Sequence, residues 1–250
     1  MNCLVFDMDE TLGFFSQISR LWFPLQELNN GGLSDFDFFS MCDLFPNILR
    51  PKIVEVLKYS KTLRMLGTID KIILYTNNTG PEWWPSLIVK YIEHKAGEKL
   101  FDVIIPGYDK NNKKNCRRHE LKTYADIVRC SKIPSTSRIC FFDDQPHRKM
   151  ENNKKVTTVF VNSYNFFYTT SEIFSKLKKL RFYKPIHRES LKTSLEGHLL
   201  EYNSRPSENT DLRVFINSFV KTVRTKSKKT KSKKRKSKKR KKATKTKKSS

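Results

Sequence analysis

Three apolar runs in this chain stop at polar residues that could do chemistry. Cys3-Leu4-Val5-Phe6 ends in Asp7-Met8-Asp9-Glu10-Thr11. Ile72-Ile73-Leu74-Tyr75 ends in Thr76-Asn77-Asn78. Ile139-Cys140-Phe141-Phe142 ends in Asp143-Asp144. Short apolar runs read as buried strands, so these residues lie just past strand ends. Carboxylates gathered there repel one another unless a cation sits among them. Oxygen ligands in a roomy crevice favour Mg²⁺, which keeps waters and also binds phosphate. An aspartate near such a metal can attack phosphorus. A second acid two residues on can protonate the leaving oxygen and then activate water. A hydroxyl and a lysine can hold the phosphoryl oxygens.

The elements that must position these groups alternate. Strands are expected at Asn2–Asp7, Asp70–Thr76, Phe101–Ile105, Arg138–Asp143 and Val156–Val161. Helices are expected at Pro51–Leu66, Glu82–Lys95, His119–Arg129 and Ser171–Leu180. That order implies an α/β fold: a parallel sheet with helices on both faces. Such sheets bind ligands outside the carboxyl ends of their strands.

Two regions break the alternation. Residues 14–47 are aromatic-rich and contain Asn29-Asn30-Gly31-Gly32, a turn signal. They read as a small insertion, a cap or flap after strand 1. Residues 182–223 form an extension of undetermined role with a short helix at Asp211–Val223. The expected organisation is therefore a domain over 1–181, the extension over 182–223, and a disordered Lys/Arg-rich tail over 224–250.

The chain has 250 residues, with 50 Lys+Arg against 25 Asp+Glu, a formal charge of +25. Residues 224–250 carry 17 of the basic residues and no acid, which leaves 33 basic against 25 acidic, or +8, on residues 1–223. The tail repeats KSKKT, KSKKR, KSKKR from Lys226 to Arg240. Like charges at this density repel and nothing apolar is there to bury. Such a polycation binds nucleic acid without reading sequence, because each neutralised phosphate releases counterions. It also reads as a nuclear localisation signal, and Ser227, Ser232 and Ser237 are candidate phosphorylation sites.

No run approaches the roughly 20 apolar residues that span a bilayer. Asp7 and Asp9 interrupt the place where a secretory signal would need its apolar stretch. The expectation is a nuclear or cytoplasmic protein, not secreted and with no membrane partner. The five cysteines are scattered, without a Cys-x-x-Cys pair, and are expected to be reduced thiols. None has Arg six residues on: the residues there are Asp9, Ile48, Lys122, Thr136 and Pro146. That excludes a cysteine-dependent Cys-x5-Arg phosphatase. No P-loop and no Gly-x-Ser-x-Gly elbow is present. The five histidines lack metal-ligand spacing, and only His147 is expected near the site. Trp83-Trp84 are read as packing residues, with a substrate platform as the alternative.

DMDET after an apolar strand, a Thr after the second, a Lys, then FFDD resembles the four-motif pattern of the haloacid dehalogenase (HAD) superfamily. The likeness covers roughly residues 1–180. It is greatest to the Asp-x-Asp-Glu-Thr branch, the RNA polymerase II C-terminal-domain and nuclear-LIM-interactor-interacting-factor-like phosphatases. Arg50-Pro51 before a helix looks like a feature of that branch, and Thr76-Asn77-Asn78 and Asp143-Asp144-Gln145 resemble members from large DNA viruses.

The resemblance implies a Mg²⁺-dependent phosphatase with a HAD-like sheet. Asp7 would be nucleophile and metal ligand. Asp9 would be general acid/base, its backbone carbonyl also on the metal. Thr76, Asn77 and Lys122 would bind phosphate. Asp144 would ligate the metal, Asp143 would orient Lys122 or complete the metal site, and Thr11 would steady the first loop. Lys113, Lys114 and Lys132 compete with Lys122. The branch has a small residue and Ser where Asn77 and Asn78 stand, so the substrate is less determined than the chemistry. A phosphoserine or phosphothreonine protein is the first expectation and a nucleic-acid 3′-phosphate end the second. A nucleic-acid-binding protein without catalysis is the third.

Overall fold

The computed structural model describes residues 1–112, 115–196 and 211–224. The chain divides into two units, Met1–Asp211 and Leu212–Ser250. Of the second unit, residues 213–224 are helical, with Ile216, Phe219, Val220 and Val223 recurring at helical spacing. The readings made above for Lys113, Lys114 and the tail from Thr225 onward lie outside the described residues.

Five strands form the first unit's sheet: β1 (Asn2–Phe6), β2 (Lys71–Tyr75), β3 (Val103–Ile105), β4 (Arg138–Asp143) and β5 (Val156–Phe160). Their order is β3-β2-β1-β4-β5, and every pairing is parallel. Side chains alternate between the faces of a strand. Cys3, Val5, Ile73, Tyr75, Ile139 and Phe141 form one face and join Tyr124, Ile127 and Met150 in a buried core. The alternate set, Leu4, Phe6, Ile72, Leu74, Cys140 and Phe142, is fully buried as well. Burial on both faces explains why these strands read as continuous apolar runs rather than alternating ones.

The helices are α1 (Ser16–Leu28), α2 (Asp35–Asp43), α3 (Ile53–Met65), α4 (Trp83–Ala96), α5 (Tyr124–Ser131), α6 (Arg148–Glu151), α7 (Thr170–Leu177) and α8 (Arg188–Glu196). Short 3₁₀ turns lie at Pro46–Ile48 and Pro185–His187. The insertion is thus two helices. Ser34 and Asp37 form a capping box that starts α2. Trp22, Phe38, Trp84 and Tyr91 interlock edge to face and seat the insertion on α4. Helix α8 packs on α1, where Arg20 Nη1 donates to the Ser194 carbonyl at 3.1 Å and Ser194 Oγ to the Arg20 carbonyl at 2.8 Å.

Two sequence expectations are corrected. The helix read from His119 starts only at Tyr124, because Thr123 caps it by accepting from the Asp126 N–H. Lys122 therefore lies in a loop ahead of the helix. The thiols are not all reduced: Cys116 and Cys130 form a disulfide, while Cys3, Cys42 and Cys140 are free and buried. The turn back through α5 brings that pair to a Cα–Cα distance of 5.2 Å, inside the range a disulfide bridges.

One buried arginine holds the loop after β1. Arg50, 3 % exposed, donates Nε to the Thr11 carbonyl at 2.6 Å, and Nη2 to the Glu10 carbonyl at 2.7 Å and the Asn162 carbonyl at 2.6 Å. Its removal strands three carbonyls. Urea unfolding of Arg50→Ala is expected to show a loss of about 3 kcal/mol, with Arg50→Lys recovering less than half.

Candidate metal centre and phosphate site

The register of the two central strands sets the site. Phe6 pairs with Phe142, and their rings stack at 4.7 Å. The next residues, Asp7 and Asp143, therefore emerge side by side, and the Asp7 N–H still donates to the Phe142 carbonyl at 2.9 Å. Asp144 follows in the chain. Asp7, Asp143 and Asp144 bring one carboxylate oxygen each within 4.8 Å of one another. This is a candidate metal centre made of hard oxygen donors.

Lys122 reaches into it from the loop before α5. Its Nζ donates to Asp7 Oδ1 at 2.5 Å and Asp143 Oδ2 at 2.7 Å, and the side chain is only 2 % exposed. Three carboxylates against one ammonium leave net negative charge, which fits a divalent cation in chemistry and donor type.

The loop after β1 turns back tightly. Leu12 N donates to the Met8 carbonyl at 2.9 Å and Glu10 N to the Gly13 carbonyl at 2.7 Å. Glu10 takes a positive φ of 59°, and its carboxylate is bonded by Ser163 Oγ. At Gly13 a Cβ would lie 2.2 Å from the Ile48 carbonyl oxygen, so only glycine allows this approach. Thr11 lies behind the cavity wall, with Oγ1 donating to Asp144 Oδ1 at 3.3 Å.

A cavity of about 460 Å³ is lined by Asp7, Asp9, Thr76, Asn77, Lys122, Asp143 and Asp144. Thr76 is buried at the end of β2, where its Oγ1 accepts the Asn78 N–H at 2.9 Å. Asn77 lines the cavity from its exposed side. The Asp9 carboxylate is outside the acidic triad and accepts from Asn78 Nδ2 at 3.0 Å. Lys132, a sequence competitor of Lys122, ends α5 in the left-handed conformation and does not line the cavity.

Burial pushes the Asp7 carboxyl up to about 7; the Lys122 charge opposes this and Asp143 reinforces it. Burial also raises Asp9, against the Asn78 hydrogen bond. Burial works upward on Asp143 too, but His147 and Lys122 outweigh it and hold that carboxyl below its ordinary value. His147 Nε2 stands 3.1 Å from Asp143 Oδ2, off the line of a hydrogen bond.

Sequence reasoning overlooked Asn78 as the partner of Asp9, and Ser19 and Phe23 as cavity wall. Trp84 is both buried packing and lining, while its neighbour Trp83 is half exposed. Gly107 was also overlooked: a Cβ there would lie 2.1 Å from the Asn78 carbonyl oxygen. Its only sequence signal is the turn dipeptide Pro106-Gly107.

Comparisons of the chain with protein-family models, with curated proteins and with solved structures find no match. No helix among the described residues is long and apolar enough to cross a membrane.

Two outcomes follow. Saturating Mg²⁺ is expected to raise the melting temperature by about 5 °C, and Asp144→Asn to abolish that shift, read by scanning calorimetry. In the metal-free protein Asp7 has its carboxyl raised on folding. Its stabilising contribution is full below the unfolded value and is lost as pH rises through about 7. Urea midpoints from pH 4 to 8 should fall with pH in wild type and fall less in Asp7→Asn.

Proposed function

We propose that the protein is a Mg²⁺-dependent phosphomonoester hydrolase that works through an aspartyl-phosphate on Asp7, in the manner of the HAD superfamily it resembles. The observation that carries this is the meeting of Asp7, Asp143, Asp144 and Lys122 at two adjacent strand ends, with Asp9 two residues beyond Asp7. The motif order in the sequence supports the same reading.

Asp7, Asp143 and Asp144 would hold the ion, which neutralises charge on the phosphoryl group when bound. The chain's own residues account for the rest. Lys122 and Thr76 flank Asp7 and hold phosphoryl oxygens, with Asn77 at the exposed rim. The Asp7 oxygen attacks phosphorus, forming a P–O bond as the bond to the leaving oxygen breaks. Asp9, whose raised carboxyl retains its proton more readily, gives that proton to the leaving oxygen. Water then attacks the aspartyl-phosphate, Asp9 takes back a proton, and phosphate leaves Asp7. The residue two after Asp7 is an acid, Asp9, which can activate water and so favours hydrolysis of the intermediate.

A phosphoserine or phosphothreonine in a protein is the first substrate class. A nucleic-acid phosphate end is the second, favoured by 17 basic residues and no acid over 224–250. A phosphopeptide and a 3′-phosphate oligonucleotide assayed side by side distinguish them.

Hydrolysis of p-nitrophenyl phosphate is expected to need Mg²⁺, to stop with EDTA, and to fall roughly a thousandfold or more in Asp7→Asn. Asp9→Asn should lower kcat by about 100-fold or more. Equal activity in wild type and Asp7→Asn would sink the reading.

A further inference from the structure

The two groups assigned to the phosphoryl oxygens, Thr76 and Lys122, come from segments far apart in sequence. Thr76 ends β2, while Lys122 stands on an irregular loop whose length leaves its path open. The register of the sheet does not place that loop. A second buried arginine does.

Arg117 is 2 % exposed. Its Nη1 donates to the Thr76 carbonyl at 2.9 Å and the Pro106 carbonyl at 3.3 Å, and its Nη2 donates to the Glu120 carbonyl at 2.6 Å. The guanidinium lies 4.8 Å over the Tyr75 ring. The hydroxyl of that same ring accepts the Thr123 N–H at 3.0 Å. Lys122 is thus tied on both sides, at Glu120 through Arg117 and at Thr123 through Tyr75. Both ties run to the end of β2, where Thr76 stands. The Cys116–Cys130 disulfide and a 2.6 Å bond from Arg129 Nε to the Cys116 carbonyl close the base of the segment.

We infer that Arg117 is a positioning residue of the phosphate site: by gripping the backbone at Thr76, Pro106 and Glu120 it sets the distance between the Thr76 hydroxyl and the Lys122 ammonium. It acts through these two residues and does not line the cavity. A planar fork spans three carbonyls at fixed angles, which a single flexible ammonium does not reproduce. The inference rests on the phosphatase reading for what Thr76 and Lys122 hold. The clamp itself is geometric.

The test compares wild type, Arg117→Ala, Arg117→Lys and the exposed neighbour Arg118→Ala, all in the full chain with the disulfide intact. Three quantities are read: KM and kcat for p-nitrophenyl phosphate, Kd for inorganic phosphate by calorimetry, and the Mg²⁺ midpoint by thermal shift. Arg117→Ala is expected to raise KM and the phosphate Kd by about tenfold to a hundredfold. The Mg²⁺ midpoint should shift less than the phosphate Kd, because the acidic triad is placed by the ends of β1 and β4 and meets the clamped segment only through Lys122. Added guanidinium ion should restore part of the loss in Arg117→Ala. Arg117→Lys should fall between, and Arg118→Ala should match wild type.

A folded Arg117→Ala with unchanged KM and phosphate Kd, merely less stable, overturns the positioning role and leaves the phosphatase reading standing. If Arg117→Ala does not fold, Arg117→Lys decides: wild-type KM and phosphate Kd overturn the inference, and raised values support it. Wild type that binds Mg²⁺ but neither binds phosphate nor hydrolyses the ester overturns the functional reading, and this inference with it.

Discussion

Two carboxylates buried at adjacent strand ends share one ammonium. Asp7 and Asp143 emerge from neighbouring parallel strands, and Lys122 bonds both. Two anions this close and this dry repel strongly, and neither could stay charged without a counter-ion. Lys122 offsets part of that repulsion, and Asp144 adds a further negative charge beside it. The remaining imbalance is what marks the place as a candidate cation site. It also explains the split between neighbouring carboxyls, with Asp7 pushed up by burial and Asp143 held down by His147 and Lys122.

Holding those charges requires rigid loops, and two arginines supply much of the rigidity. Arg50 grips carbonyls of the loop after β1, and Arg117 grips carbonyls at the ends of β2 and β3 and beside Lys122. Each is buried and each bonds backbone rather than a carboxylate. Loop carbonyls have no ladder to join, so a buried loop needs donors from side chains. Arginine presents several donors in one plane and meets that need with one residue.

The insertion and the chain after β5 work together on the remaining wall. α1 contributes Ser19 and Phe23 to the cavity, is braced by α8, and is fastened to α4 through Trp84 and Phe38. The aromatic residues that mark 14–47 as unusual in sequence are therefore mostly its own packing. Of these, Phe23 also lines the cavity, beside Trp84 of α4. Residues Asn77 to Gly80 also line a second groove, with Pro81, Pro106 and Tyr108.

The three central strands, β2, β1 and β4, were legible because burial turns each into an apolar run that stops at a polar residue. In a parallel sheet the carboxyl ends of the strands face the ligand, which points to Asp7, Thr76 and Asp143 from sequence alone. The order of strands was not legible, because periodicity carries no pairing information. Only the fold shows β1 between β2 and β4, and hence Asp7 beside Asp143. Lys122 was singled out among four lysines on a helix that in fact begins after it; its burial depends on Arg117, Tyr75 and Thr123, contacts that exist only when β2 and the loop meet. The Cys116–Cys130 pair and the close approach of Gly107 to Asn78 were hidden for the same reason. Local sequence determined which residues end strands and carry charge. Tertiary structure decided which of them touch, because contact between distant segments follows from register, packing and the buried hydrogen bonds that loops must find.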